Sequence, residues 1–400
     1  MSGFDHASES DAQRTSAQGF QTIVRLGYVS LATDVSTEMV LGVLPLFIVK
    51  DLGGNAAILG IIEGVAEAVN YFFRVIAGFL TDKIGRRKPL VLLGYGFSSI
   101  AKPLFALAGS WGHVFAVRVA DRAGKGIRTS PRDALISDSA ARSESGRAFG
   151  LHRSLDQLGA ILGPVVAFFA IPIIGVRGVF WLSFLPAAIA LAILVFFVRD
   201  VQGVTRQRSV FQNAKAVLNT RFILLLAILG MFAAGAYNFS FILLRAGSLG
   251  VSEGYIPLVY AFLNVATVLF GLPAGMLADR VGKVPVLGLG YLIFLATSLL
   301  AVFLPNGQYT GFLLAFMFGS YLAVTETVQR AIIPDFTDSE LKGTAYAIYY
   351  TLVGLGSLAA NSVFGVLWTG FGPASAFYYS SLVSSIAVGA LVAFMMSGTR

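Results

Sequence analysis

From residue 23 onward the chain alternates long apolar runs with short polar or glycine-containing breaks. Each run reaches the roughly 20 residues that a helix needs to cross the hydrocarbon of a bilayer. The pattern predicts helices over 23–50, 56–81, 89–109, 111–130, 147–172 and 178–198, then over 222–246, 256–279, 285–305, 310–334, 343–369 and 374–396. One interior hydrophilic stretch is long, RDVQGVTRQRSVFQNAKAVLNTR at 199–221, and it divides six runs from six. Residues 1–20 are polar and of mixed charge, with no apolar core behind basic residues, so they read as a cytosolic tail and not a signal peptide. The expected organisation is a cytoplasmic tail (1–20), a six-helix bundle (21–198), a cytoplasmic linker (199–221) and a second six-helix bundle (222–400). The fold class is an all-α polytopic membrane protein.

The halves repeat each other. A shift of 197 residues sets Gly78, Leu80, Asp82 and Gly85 against Gly275, Leu277, Asp279 and Gly282, and Ala134, Ile136, Asp138, Gly146 and Gly159 against Ala331, Ile333, Asp335, Gly343 and Gly356. Between these blocks the register slips to 196, pairing Pro89 with Pro285 and Tyr95 with Tyr291. Tandem six-span repeats of one orientation are the plan of transporters whose substrate sits between the halves near mid-membrane.

Composition sharpens this picture. Of 400 residues 56% are hydrophobic and 12% charged, whereas a soluble domain is about one quarter charged. The net charge of +8 invites a nucleic-acid reading, but the basic residues follow topology. With the tail inside, only Lys50, Arg177 and Arg245 fall outside, against inner clusters such as Lys83, Arg86, Arg87 and Lys88. That bias orients a multi-pass protein of the cell inner membrane with both termini in the cytoplasm, and no nucleic acid is expected as a partner. The absence of cysteine removes disulfides and thiolate sites. His6, His113 and His152 cannot assemble a conventional zinc site, and neither metal nor cofactor is expected. Gly124-Lys125-Gly126 lacks the earlier glycine and following hydroxyl of a phosphate loop. No nucleophile, base and orienting group occur at motif spacing, so no enzymatic activity is expected.

The break between the second and third runs reads GFLTDKIGRRKPL, and its repeat reads GMLADRVGKVPVL. Glycines there let the chain turn and helices approach, and Asp82 is a short acceptor among cations. The pattern G-x-L-x-D-x-x-G-R-R resembles the signature loop of the major facilitator superfamily, present twice and in keeping with the whole chain. That resemblance implies two pseudo-symmetric six-helix bundles and a gating latch at Gly78, Asp82, Gly85, Arg86 and Arg87, repeated at Gly275, Asp279 and Gly282. Lys283 and Val284 replace the second basic pair, so a weaker second latch is expected. In the fifth run Gly150, Gly159, Gly163 and Pro164 match most of the glycine signature that the family associates with exporting antiporters; Ala167 and Phe168 stand where its last two glycines belong. Such glycines permit close packing, and proline leaves a carbonyl free so that the helix can bend.

Charges inside a span cost at least about 2.5 kcal/mol each on an insertion scale, so each needs a partner, a wet cavity or a function. Asp34 and Glu38 share a helix face, as do Glu63, Glu67, Asn70 and Arg74. The fourth run presents Arg118, Asp121, Arg122, Lys125 and Arg128 at helical spacing, and the fifth adds His152, Arg153 and Asp156. The family resemblance implies a role for an arginine at Arg118. The second half has few such charges; Glu63 and Glu67 are replaced by Tyr260 and Asn264, leaving Glu326 and Arg330. Its polar residues, Tyr237, Asn238, Tyr260, Asn264, Tyr321, Tyr346 and Tyr350, read as an aromatic, hydrogen-bonding wall. Asp121 with Arg122, Asp156 with Arg153, and Glu326 with Arg330 also fit plain structural ion pairs, and Lys102 is expected to reach one of the acids. The expectation is a monomeric secondary transporter, resembling proton-coupled drug or solute antiporters, that moves a small amphipathic molecule by alternating access, with protons and the bilayer as further partners. Acids serving as hard ligands of a divalent metal carrier, a solute importer, and a non-transporting sensor are the competing readings.

Overall fold

The computed structural model describes residues 3–140, 145–200, 214–337 and 341–397. Most of the expected linker therefore lies outside the described residues. The described residues are helical apart from short connections. The elements are α1 (Gly3–Leu41), α2 (Ala56–Ile84), α3 (Lys88–Leu104), α4 (Trp111–Ser139), α5 (Ser145–Leu182), α6 (Phe184–Phe196), α7 (Thr220–Gly235), α8 (Phe239–Ser248), α9 (Ile256–Val281), α10 (Lys283–Phe303), α11 (Gln308–Ile332), α12 (Lys342–Phe371) and α13 (Pro373–Ser397).

Among the described residues ten stretches are long and apolar enough to cross a membrane. One of them, Gly146–Phe196, runs 51 residues and holds two crossings, because the chain reverses at Gly175, whose φ of +68° suits glycine. α4 is too charged to belong to the ten, yet it runs full length against α2 and α3. Twelve crossings result among the described residues, at the positions the apolar runs predict. Helix starts at Asn55 and Asn219 are capped by side chains that accept from Ile58 and Phe222 backbone N–H groups. Phe72, Phe169, Ile173, Leu272 and Phe371 stand exposed on the outer surface, as apolar side chains do where lipid is the solvent.

The crossings pack as two groups of six. α1 lies against α5 and α6, and α4 against α2 and α3; in the second half α7 lies against α12 and α13, and α11 against α9 and α10. The groups meet along two seams, α2 with α12 and α5 with α9. We call the end that carries the Gly85 and Gly282 turns the latch end. The opposite end is closed by close backbone approach: a Cβ on Gly60 would stand 2.1 Å from the Asn361 carbonyl oxygen, and one on Gly365 would stand 2.3 Å from that of Ala56.

Several helices differ from their expected limits; α1 begins at Gly3, inside the expected tail. α4 continues past residue 130 to Ser139, carrying Pro131 inside it; a proline removes one helical hydrogen bond without ending a well-packed helix. The seventh crossing is broken, with extended backbone at Ala236 and at Asn238, whose side chain caps α8 through the Ser240 N–H.

Candidate functional site

Because the seams close only away from the latch end, the two groups enclose a cavity of about 390 Å³. From the first group it is lined by Asp34 and Glu38 of α1, Glu67, Asn70 and Arg74 of α2, Arg122, Lys125 and Arg128 of α4, and Arg153 and Asp156 of α5. From the second come Tyr237 and Asn238 at the helix break, Tyr260 and Asn264 of α9, and Tyr321 and Glu326 of α11. Exposure falls with depth, from 51% for the side chains of Arg153 and Glu326 at the latch end to 8% for Glu38 and 4% for Tyr260. The cavity therefore opens toward the latch end.

At its deep end the Tyr260 hydroxyl donates to Glu38 across the seam. Asn264 donates to the Ala160 carbonyl at 2.8 Å, joining α9 to α5. Glu67 accepts from Asn70 at 3.2 Å and faces Arg122 at 3.4 Å. Nearer the mouth Asp156 takes Arg153 at 3.2 Å, Arg132 at 3.9 Å and the Ser30 hydroxyl. Arg153 also reaches Glu326 at 3.8 Å, and Glu326 pairs with Arg330 at 3.1 Å. This chain of charges links the groups at the mouth through half-exposed side chains, where an ion pair is worth little and opens readily.

Several expected site residues lie elsewhere. Glu63 is 1% exposed and pairs with Arg118 at 2.7 Å inside the first group. Arg118 also faces Asp121 at 3.5 Å, which in turn accepts from Ser98. These three fill the interior between α2, α3 and α4 and do not line the cavity. The stripe divides because Glu63 sits one helical turn nearer the closed end than Glu67, where α4 covers it. His152 is buried off the cavity, with its Nε2 unpartnered. Arg122 pairs with Glu67 and not with Asp121. Lys102 donates to the Thr37 hydroxyl at 3.1 Å and, among the described residues, has no acid within ion-pairing distance. Among the described residues no three His, Asp or Glu side chains gather as a metal ligand set.

The paired loops form parallel arrangements. Gly85 ends α2 with φ +71° and Gly282 turns with φ +97°. Arg87 holds Asp138 at 3.2 Å and Asp82 at 3.7 Å, and it donates to the Thr81 carbonyl. In the repeat Lys283 holds both Asp335 oxygens at 2.7 Å, while Asp279 is exposed. With the slipped register, Lys283 is the counterpart of Arg87 and Asp335 that of Asp138. Arg86 is exposed; its neighbour Arg87 carries the contacts. Gly78 and Gly275 lie at ordinary contact from Ser130 and Thr327. In α5, Gly159 and Gly163 seat the helix on α1, where Cβ atoms would meet the Leu31 and Val35 carbonyl oxygens at 2.5 and 2.7 Å. Gly150 has nothing within 4 Å and plays no part in close packing. The helix stays helical at Pro164, and the sharp turn comes at Gly175.

The sequence reading omitted Tyr71, Arg132 and Asn361 from the site. Tyr71 stacks with Tyr350 at 5.6 Å across the seam, and its place between Glu67 and Arg74 on one helix face was the available signal. Asn361 accepts from the Asn238 backbone N–H at 2.8 Å; a lone amide inside an apolar run marks it. Arg132 lies beyond the expected end of its helix.

Two bundles of six, a broken crossing and a cavity open at one end define a polytopic transport protein. The Major Facilitator Superfamily model matches residues 26–245 and again 223–398, and the chain belongs to that family. It is 32% identical to an uncharacterised MFS-type transporter of Methanocaldococcus jannaschii over 94% of this chain and 95% of that one. It is 24% identical to a multi-drug resistance efflux pump of Streptococcus pneumoniae over 88% of this chain and 90% of the pump. The crystal structure of the nucleoside transporter NupG superposes with a TM-score of 0.74 at 13% identity, covering 94% of this chain and 99% of that one; this likeness concerns the fold. These relatives are transporters, and the chain is an MFS transporter of the membrane.

Proposed function

We propose that this transporter exports a small amphipathic organic solute in exchange for protons, by alternating access, and works as a monomer in the cell inner membrane. The latch end then faces the cytoplasm, as the basic residues of its loops favour, and the cavity is loaded from inside. The bundles are residues 21–198 and 222–400, with 1–20 and 199–221 as tail and linker. The observation that carries the reading is the Glu38–Tyr260 hydrogen bond at the end of the cavity. A carboxyl group there meets solute, water and the opposite bundle at once. Desolvation favours a neutral carboxyl and nearby cations favour the carboxylate, so solute arrival or helix movement changes proton occupancy, and a proton on Glu38 alters its grip on Tyr260. Glu67, tied to Arg122, is the second acid of this set. The 24% identical efflux pump supports export as the direction.

The test is reconstitution in liposomes under an imposed proton gradient, with a panel of organic solutes and divalent metals while lumenal pH is recorded. Organic solutes should trigger proton movement, and the Glu38→Gln, Glu67→Gln double variant should lose it. Proton movement triggered by metals alone, or undiminished coupling in the double variant, overturns the proposal.

A further inference from the structure

The charges of the cavity are unequally satisfied. Five of the six lining acids are engaged: Glu38 by Tyr260, Glu67 by Arg122 and Asn70, Asp133 by Arg132, Asp156 by Arg153 and Arg132, and Glu326 by Arg330. Asp34 lies within hydrogen-bonding reach of Asp156. Three lining cations, Arg74, Lys125 and Arg128, have no carboxylate within ion-pairing distance and no side-chain hydrogen bond among the described residues. Arg74 instead lies beside the stacked pair of rings, 5.4 Å from the Tyr71 centroid and 5.1 Å from that of Tyr350, and its buried Nε has no partner. A cation held by ring quadrupoles spends no N–H on that contact, so its donors stay available for an acceptor. Arg128 is 3% exposed, lies 4.5 Å over the Tyr95 ring, and keeps an unpartnered Nη1.

The placement of these cations follows from one glycine. At Gly126 a Cβ would stand 2.5 Å from the Asn70 carbonyl oxygen and 3.1 Å from the Arg74 nitrogen. α4 thus lies against the α2 backbone there, which brings Lys125 and Arg74 to one level of the wall. The charged groups acting on Lys125 are Arg122, Asp34, Glu38 and Glu67; Glu67 is taken by Arg122 and Glu38 by the Tyr260 hydroxyl, Asp34 lies beside Asp156, and none of the three stands within ion-pairing distance of Lys125. Opposite stands the aromatic surface of the second bundle, including Phe232, Phe318 and Tyr321.

We propose that the solute is an organic anion, its carboxylate or sulfonate seated between Lys125 and Arg74 and its aromatic or apolar body against the rings of the second bundle. Cations at membrane depth without counter-ions are costly, and an anionic ligand supplies the missing partner to the half-buried Arg74 and Lys125 through charge-assisted hydrogen bonds, bidentate at the arginine. Arg128 adds field from behind Lys125. This assignment rests on the transporter reading and names the chemical class of its cargo.

The experiment compares two probes with one ring system, 1-naphthoate and 1-naphthylmethylammonium, by their effect on the unfolding temperature of the full-length protein in detergent. Naphthoate at millimolar concentration should raise the midpoint. The rise should vanish in Lys125→Met and in Arg74→Gln, and it should persist in Lys125→Arg. The ammonium should leave the midpoint unchanged. No rise with naphthoate, or a rise that survives both neutral variants, overturns the anion assignment. A rise with the ammonium alone also overturns it while leaving the transporter reading intact, since solute-triggered proton movement tests that reading separately.

Discussion

Tyr260 of the second bundle donates its hydroxyl to Glu38 of the first, and the bond closes the deep end of the cavity. The two residues come from helices 222 positions apart in sequence, so the contact exists only while the bundles meet at that end. Gly42, one turn beyond Glu38, brings α1 close enough: a Cβ there would touch the Tyr260 ring at 3.4 Å and Pro257 at 3.5 Å. The bond therefore acts as a clasp whose strength depends on whether Glu38 carries a proton.

Tyr260→Phe removes the clasp and keeps the ring stacked on Phe239 at 4.6 Å. A hydrogen bond to a charged group contributes about 1.5–3 kcal/mol, which corresponds to roughly a 10- to 100-fold shift toward opening of the far end. The chain has no cysteine, so a single cysteine at Leu41, which lines the cavity and is 3% exposed, reports on that opening. Maleimide applied from the far side should label it faster in Tyr260→Phe. Equal labelling rates in the two backgrounds contradict the clasp.

The buried Glu63–Arg118 pair belongs to the architecture of the first bundle and not to the cavity, with side chains 1% and 0% exposed. Arg118 also faces the buried Asp121 at 3.5 Å, so removing Arg118 strands two carboxylates, at a cost of about 3–5 kcal/mol or more. Arg118→Met should therefore lower the unfolding temperature sharply. The Glu63→Gln, Arg118→Met, Asp121→Asn triple variant should recover much of the loss, because all three charges of the cluster are then gone. A triple variant less stable than the single one defeats this account.

The sequence made the twelve crossings legible because a lipid-facing helix must be apolar over its whole length, a condition that leaves little freedom. It placed α4 as the run at 111–130 between loop signals, although the helix observed there is too charged to be counted by hydropathy and continues to Ser139. What it left unresolved was the partition of charges. Glu63 and Glu67 lie one turn apart on the same helix, yet one is sealed against Arg118 and the other faces the cavity. Only the packing of α4 against α2 separates them. Lys102 shows the same limit: its hydroxyl partner Thr37 is on a helix whose rotation the pattern of acids alone did not determine.

Gly159 and Gly163 should tolerate no side chain, since Cβ atoms there would press on α1 backbone oxygens at 2.5 and 2.7 Å. Gly163→Val should give a poorly folded protein with little monodisperse material on size-exclusion chromatography. Gly150→Ala, in open space, should behave like the parent. Loss of folded protein in Gly150→Ala, or a normal yield of Gly163→Val, runs against the seating of α5 on α1.

The two latch loops offer a comparison inside one molecule. Arg87 is 5% exposed and serves Asp138, Asp82 and the Thr81 carbonyl together, whereas Lys283 is 28% exposed and serves Asp335 and the Ala331 carbonyl. Truncating Arg87 takes the cation from Asp138 and Asp82, 30% and 50% exposed, and a donor from the carbonyl of the buried Thr81, three contacts worth together about 1–3 kcal/mol. Truncating Lys283 exposes Asp335, whose side chain is already 48% exposed, to solvent that can replace the lost amine, and a pair of that kind is worth about 0–1 kcal/mol. Arg87→Ala should thus lower the unfolding temperature several-fold more than Lys283→Ala. It should also slow solute exchange in liposomes, because Arg87 ties the end of α2, which forms one of the two seams, to the end of α4. Equal losses of stability in the two variants would mean that the loops are anchored by their glycine turns and not by these ion pairs.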